Sequence, residues 1–95
     1  MDETILQEAD RLVNGDRAKA YGHPIHDFTR VAAMWSAILG VKVEPRSVPL
    51  CMIALKLSRQ VNAHKRDNLT DICGYAQTAM MVAEHEDEYA RKMAQ

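Results

Sequence analysis

Apolar positions recur at helical spacing through most of the chain. Ile5, Leu6, Ala9, Leu12 and Val13 follow a Thr4 and Gln7 pair that fits a capping box. This predicts a first helix over residues 4–14, with Gly15 placed to end it. Residues 16–24 are too polar and interrupted for a core helix. They predict a helical turn that bends at Gly22-His23-Pro24, because a proline pushes the residue before it out of the α region. Phe28, Val31, Ala32, Trp35, Ile38 and Leu39 form one stripe of a second helix over 25–39, closed by Gly40.

A third helix starts near Ser47, whose hydroxyl is a candidate cap. Pro49 falls in its first turn, where a missing N–H is tolerated. Leu50, Ile53, Ala54, Leu57 and Val61 make one face, and Cys51, Met52 and Leu55 widen it, which predicts the most buried helix of the chain. Asp67 is a candidate cap for a fourth helix over 67–91, with Leu69, Ile72, Cys73, Ala76, Met80 and Ala83 inside. Its last turns are polar on nearly every side and read as a solvated extension. No segment alternates as a strand. The expected fold is all-α, a four-helix bundle-like single domain over residues 1–95, with a core over about 4–83 and a polar helical extension over 84–95. The third and fourth helices are apolar on more than one side, and Met34, Met52, Met80 and Met81 add to the apolar surface. A homo-oligomer with a shared core is therefore expected.

Composition narrows the function classes. At 95 residues, 47% hydrophobic and 26% charged, the chain is one small domain of ordinary soluble type. A chain this short buries only about two-thirds of its unfolded surface, so a monomer gains from association. No apolar run approaches the ~18 residues of a membrane span. The acidic start, Met1-Asp2-Glu3-Thr4, fits neither a secretory signal nor an Arg-rich transit peptide, so a cytoplasmic location is expected. Cys51 and Cys73 lack CxxC spacing and read as small core residues in a reducing compartment.

The net charge of −1 conceals an asymmetry. The first ten residues carry four acids and no base; residues 11–66 carry ten lysines and arginines against three acids; residues 67–95 carry six acids against two bases. A nucleic-acid-binding domain would be basic overall, so nucleic acid is not the expected partner. A basic middle suits a focused site for a small anionic ligand. Opposite-sign helices pairing across a bundle would give the same composition.

Several side chains could carry chemistry. Lys56 and Arg59 share one face of the most apolar helix and need carboxylates or phosphate oxygens; Asp71 and Asp27 are the candidate protein partners. Asp67 and Asp71, four residues apart, are candidate Mg²⁺ ligands beside Asn68, although Asp67 alone is explained by capping. Arg17, Lys19, Tyr21, His23 and His26 crowd the Gly22 bend, a composition suited to phosphate and base contacts. Tyr21 or Trp35 could stack on a base, with core the better reading for Trp35. His23 and His26 lack a third zinc ligand. Nucleophilic catalysis and phosphate loops find no support, for no cysteine has an adjacent base and no P-loop or GxGxxG is present.

Four segments together carry a resemblance: Asn14-Gly15-Asp16-Arg17, Tyr21-Gly22-His23-Pro24, Leu55-Lys56-Leu57-Ser58-Arg59, and the run from Arg66 through Asp71-Ile72-Cys73-Gly74-Tyr75-Ala76. They resemble a small uncharacterised domain family common in tailed-phage genomes, over about residues 4–83. That family is distantly similar to the MazG-like all-α nucleoside triphosphate pyrophosphohydrolases. The resemblance implies a helical oligomer and a nucleotide ligand, and for the enzymes a Mg²⁺ ion held by E-x-x-E and E-x-x-D motifs on two helices. Asn68-x-x-Asp71 stands where the second motif would be, with Asn68 in place of a glutamate. The first motif is missing, and Lys56-x-x-Arg59 occupies that kind of position. Two cations in place of two anions favour phosphate over metal.

The expected function is capture of a phosphorylated or cyclic nucleotide without turnover. Arg17, Lys19, His23, Lys56 and Arg59 would lie on phosphates, with Tyr21 or Tyr75 on the base. The phage resemblance and the small size extend this to sequestering a host defence signal, in the host cytoplasm. On this reading Lys56→Glu abolishes binding and leaves the fold intact. A divergent Mg²⁺-dependent pyrophosphohydrolase is the alternative, using Asp67, Asp71 and a carboxylate from another subunit such as Asp27 or Glu8. A non-enzymatic helical protein-interaction module is the third. Gly74, inside the fourth helix, costs about 1 kcal/mol relative to alanine. Close helix approach or ligand access beside Tyr75 would each explain it.

Overall fold

In the computed structural model, which describes residues 2–95, every regular element is helical. Met1, the first residue of the acidic N-terminus, lies outside the described residues. Helix α1 (Ile5–Arg11) starts at the expected box: Gln7 N–H donates to Thr4 Oγ1 at 3.1 Å, and Thr4 N–H donates to Gln7 Oε1 at 2.8 Å.

Gly15 does not end this helix. The backbone widens into a π turn over Leu12–Asp16, in which Arg17 N–H donates to the Leu12 carbonyl five residues back. The rod then continues as α2 (Arg17–Tyr21). The stop comes at Gly22, whose φ of 72° and ψ of −152° only glycine adopts at low cost. His23 is extended, and Pro24 opens α3 (Pro24–Leu39). The predicted segments 4–14 and 16–24 are therefore one continuous arm.

The end of α3 is as expected, with Gly40 left-handed and donating to Ser36 O. Ser36 Oγ accepts the Val43 N–H at 2.8 Å and steadies the connection that follows. Helix α4 (Ser47–Asn62) starts without a side-chain cap: Ser47 lies inside the helix, and its N–H donates to Glu44 O at 2.9 Å within a turn. Helix α5 (Arg66–Met93) likewise begins one residue before Asp67, with no capping bond from a side chain. Gln60 holds that corner from α4 instead. Its Oε1 accepts the Lys65 N–H at 3.1 Å and Asn68 Nδ2–H at 3.3 Å.

α5 is the spine against which α1, the π turn, α3 and α4 all pack. The main core joins Ile25, Phe28 and Ala32 of α3 to Val48 of α4 and Val82 of α5, with Val31, Trp35, Val43 and Tyr75 against it. Burial of such side chains supplies most of the driving force, about 25 cal/mol per Å² of apolar surface. Ala9 and Val13 are the buried residues of the arm.

Three expectations change. α4 is not the most buried helix: Val48 and Pro49 are its buried residues, while Leu50, Ala54, Leu57 and Val61 are exposed. One side of α4 meets α5 and α3, and among the described residues no element covers the other side. Cys51 is exposed and Cys73 half-buried, so Cys51 is not a core residue. The outer turns of α5 are anchored as well as solvated. Arg46 donates to Glu86 at 2.7 Å and to Asp87 at 2.8 Å, and these carboxylates hold its pKa above the ordinary guanidinium value. The His85 ring lies 5.2 Å from that of His23. Among the described residues no helix is long and apolar enough to cross a membrane.

Candidate functional site

A cavity of about 420 Å³ opens between the arm and α5. The arm contributes Ala9, Leu12, Val13, Asp16, Arg17, Ala20 and Tyr21; α5 contributes Thr70, Asp71, Gly74, Tyr75 and Thr78. Leu12, Val13 and Asp16 come from the π turn, so the irregular turn is part of the cleft wall. An apolar lining with a few polar groups, at this volume, is the ordinary make-up of a small-molecule site.

Gly74 lies on the α5 side of the cleft. A Cβ added there would meet Val13 Cγ2 at 3.6 Å, an ordinary contact. Close helix approach therefore does not require glycine at this position. The missing side chain leaves the cleft roomier at a cost to α5 of about 1 kcal/mol in helix propensity.

The charges around the cleft are largely paired. The Arg17 guanidinium lies over the Tyr21 ring, 5.2 Å from its centroid, and 3.6 Å from the Asp27 carboxylate. Asp27 is also 3.8 Å from Arg30. Lys56 reaches across from α4 to Asp71 at 2.7 Å, with the two side chains 14% and 28% exposed. Thr70 is buried, with its hydroxyl 3.2 Å from Arg66 O and 3.3 Å from Glu8 Oε1. Glu8 in turn pairs with Arg66 at 3.4 Å.

Of the residues expected to form a site, Arg17, Tyr21, Tyr75 and Asp71 line this cleft, and Lys56 joins them through Asp71. Lys19, His26, Arg59 and Asp67 are exposed and line no part of it. His23 serves the fold, since its Nδ1 accepts the Ile25 N–H at 3.1 Å and so caps α3. Burial pushes its pKa below the ordinary imidazole value, and the neighbouring His85 and His26 add to this. Of the expected phosphate cluster of Arg17, Lys19, His23, Lys56 and Arg59, Arg17 alone lines the cleft of one chain.

The two candidate Mg²⁺ ligands differ in setting: Asp67 is exposed, whereas Asp71 lines the cleft. Among the described residues no three His, Cys, Asp or Glu side chains lie close enough together to hold a metal ion. Asp71 takes Lys56, Glu8 takes Arg66, and Asp27 takes Arg17 and Arg30. Within one described chain no third carboxylate joins Asp67 and Asp71.

Sequence reasoning missed Ala9, Leu12, Val13, Asp16, Ala20, Thr70 and Thr78 as cleft residues. Small and apolar side chains carry no chemical signature. The mid-helix glycine at Gly74 was the signal that pointed to this wall.

Residues 4–83 match the family described as Domain of unknown function (DUF6378). The Gene 55 protein of Mycobacterium phage D29 is 40% identical over 77 residues, which covers 80% of this chain and 51% of that protein. The Gene 55 protein of Mycobacterium phage L5 is 37% identical over 87 residues, or 90% of this chain and 56% of that protein. The chain spans about half the length of these curated relatives. No solved structure matches it. With the family match running from Thr4 to Ala83 and taking in every residue of the cleft, this chain belongs to the DUF6378 family.

Proposed function

We propose that the chain captures a small nucleotide-type ligand in the cleft between the arm and α5 and holds it without turnover. The observation that carries this reading is Gly74. The packing leaves room for a methyl group there, the helix would be stronger with one, and the vacant position widens a cleft that already holds two tyrosines and an arginine. A site of about 420 Å³ suits a ligand of mononucleotide size. Tyr21 and Tyr75 offer ring faces for a base, and Arg17 offers a planar fork for a phosphate. Arg17 is the single cation lining the cleft among the described residues. This favours a monophosphate or a cyclic phosphate over a triphosphate.

The ion pairs support capture rather than hydrolysis. Water activation on a phosphoanhydride needs several carboxylates free to gather Mg²⁺; of the two that line the cleft, Asp71 is held by Lys56 at 2.7 Å, which leaves Asp16 with Arg11 no nearer than 3.8 Å. The distant resemblance to MazG-like enzymes supports a nucleotide as the ligand class. The phage relatives support a setting in which withdrawing a host nucleotide signal is useful. The protein acts as a homo-oligomer in this reading, because thirteen large apolar side chains of the described chain stand exposed.

The test is native mass spectrometry of the full chain with nucleoside monophosphates, triphosphates and cyclic mono- and dinucleotides, with Mg²⁺ present. An intact adduct is expected, lost in Gly74→Leu and weakened at least about tenfold in Arg17→Gln, the loss of one charge-assisted contact. Release of pyrophosphate would replace this reading with the enzymatic one. No adduct and no product would replace it with the interaction-module reading.

A further inference from the structure

We infer that the outer face of α4 is where two copies of this chain meet, through a seam made by Leu50, Ala54, Leu57 and Val61. The inference rests on the homo-oligomer reading and names its surface. The four residues follow one another at intervals of four, three and four, the spacing of a coiled-coil seam. All four are exposed, and Val61 is 88% exposed. A surface helix normally turns such a stripe inward; α4 meets α5 and α3 with its other side.

The uncharged and self-complementary seam indicates a second copy as the occupant, and the exposed area allows it. The chain exposes 6710 Å². A compact monomer of 10.7 kDa is expected to expose about 5,500 Å². The excess, roughly 1,200 Å², belongs to the whole chain, the solvated outer turns of α5 included, and leaves room for the ~800 Å² that each partner contributes to a standard interface. The seam holds no charged residue, and Cys51 and Ser58 flank it on one side with Ile53 and Gln60 on the other. Two identical faces therefore meet with no like-charge repulsion, as a two-fold interface requires. Size complementarity sets the direction. With the two helices antiparallel, the small Ala54 faces Leu57 of the second copy, and Leu50 faces Val61. In a parallel pair Ala54 would face itself and leave a gap.

The experiment is sedimentation equilibrium of the full chain at tens of micromolar, beside Leu57→Asp, Val61→Asp and Met93→Asp. Val61 is exposed enough that its substitution cannot unfold the chain, and helical circular dichroism checks each variant. The wild type and Met93→Asp are expected at twice the chain mass or an even multiple of it. Leu57→Asp and Val61→Asp are expected to lose a factor of two. Met93 is 66% exposed and apolar but lies at the far end of α5, so it controls for a general effect of added charge. A wild type that sediments as a single chain would overturn both this face and the homo-oligomer reading. An oligomer that survives both α4 substitutions would overturn this face alone.

Discussion

The Lys56 ammonium on α4 lies 2.7 Å from the Asp71 carboxylate on α5, and both side chains are mostly covered. The pair ties together two helices that pack along much of their length, and Asp71 also lines the cleft. Removing either partner leaves a poorly hydrated charge. The expectation that Lys56→Glu leaves the fold intact therefore gives way: it would set two carboxylates against each other between helices. Lys56→Met is expected to cost about 1–2 kcal/mol, less than for a fully buried pair because water still reaches both groups. The double variant Lys56→Met with Asp71→Leu should regain most of that. Urea unfolding of the four proteins measures it, and a double variant weaker than either single would count against the coupling.

Gly74→Ala should separate stability from binding. The added methyl meets Val13 at an ordinary distance, so α5 should gain up to about 1 kcal/mol in urea. The same methyl narrows the cleft, and ligand affinity measured by calorimetry should fall. A variant that is destabilised would show that the arm needs the glycine after all.

Stability should fall as the solution is acidified through the mid-6s. His23 has a lowered pKa in the folded chain, so above the ordinary value of 6.5 it is neutral both folded and unfolded. Below 6.5 the unfolded chain takes the proton first, which favours unfolding until the folded-state pKa is reached. Protonation also removes the Nδ1 acceptor that caps α3. Thermal unfolding between pH 7.5 and 5.5 should show a falling Tm, and His23→Asn, which keeps a capping oxygen, should flatten that part of the profile. An unchanged profile in the variant would assign the effect to other groups.

Arg46 should govern the order of the outer turns of α5. Its bonds to Glu86 and Asp87 fasten that end to the α3–α4 connection. Arg46→Ala should speed amide hydrogen exchange over residues 84–93 while leaving the exchange of residues 70–82 unchanged. Equal exchange in both proteins would mean that the pairing adds no order there.

Much of the fold was legible because local signals agreed with it. Thr4 and Gln7 marked the start of α1, and Gly40 marked the end of α3. Gly15 misled because a glycine near a helix end usually closes it, whereas here the helix widens and continues to Gly22. The apolar content of α4 suggested deep burial, but apolar periodicity does not say whether the covering surface belongs to the same chain. Within the site, Arg17, Tyr21, Asp71 and Tyr75 were visible as chemistry. Their neighbours Ala9, Leu12 and Thr78 were not, since only the packing of two distant segments makes them a wall.

The π turn adds a meaning to residue number itself. A π turn is an α-helix with one residue too many, and each helical residue advances the chain by about 100°. The wide turn absorbs that extra residue, so Arg17, Ala20 and Tyr21 face α5 as they would in a regular helix one residue shorter. Tightening the turn to α geometry with all its residues kept would instead advance everything after it by about 100° and turn those three side chains away from α5. The aim of the arm is thus set by the width of a single turn as much as by the identities of its side chains.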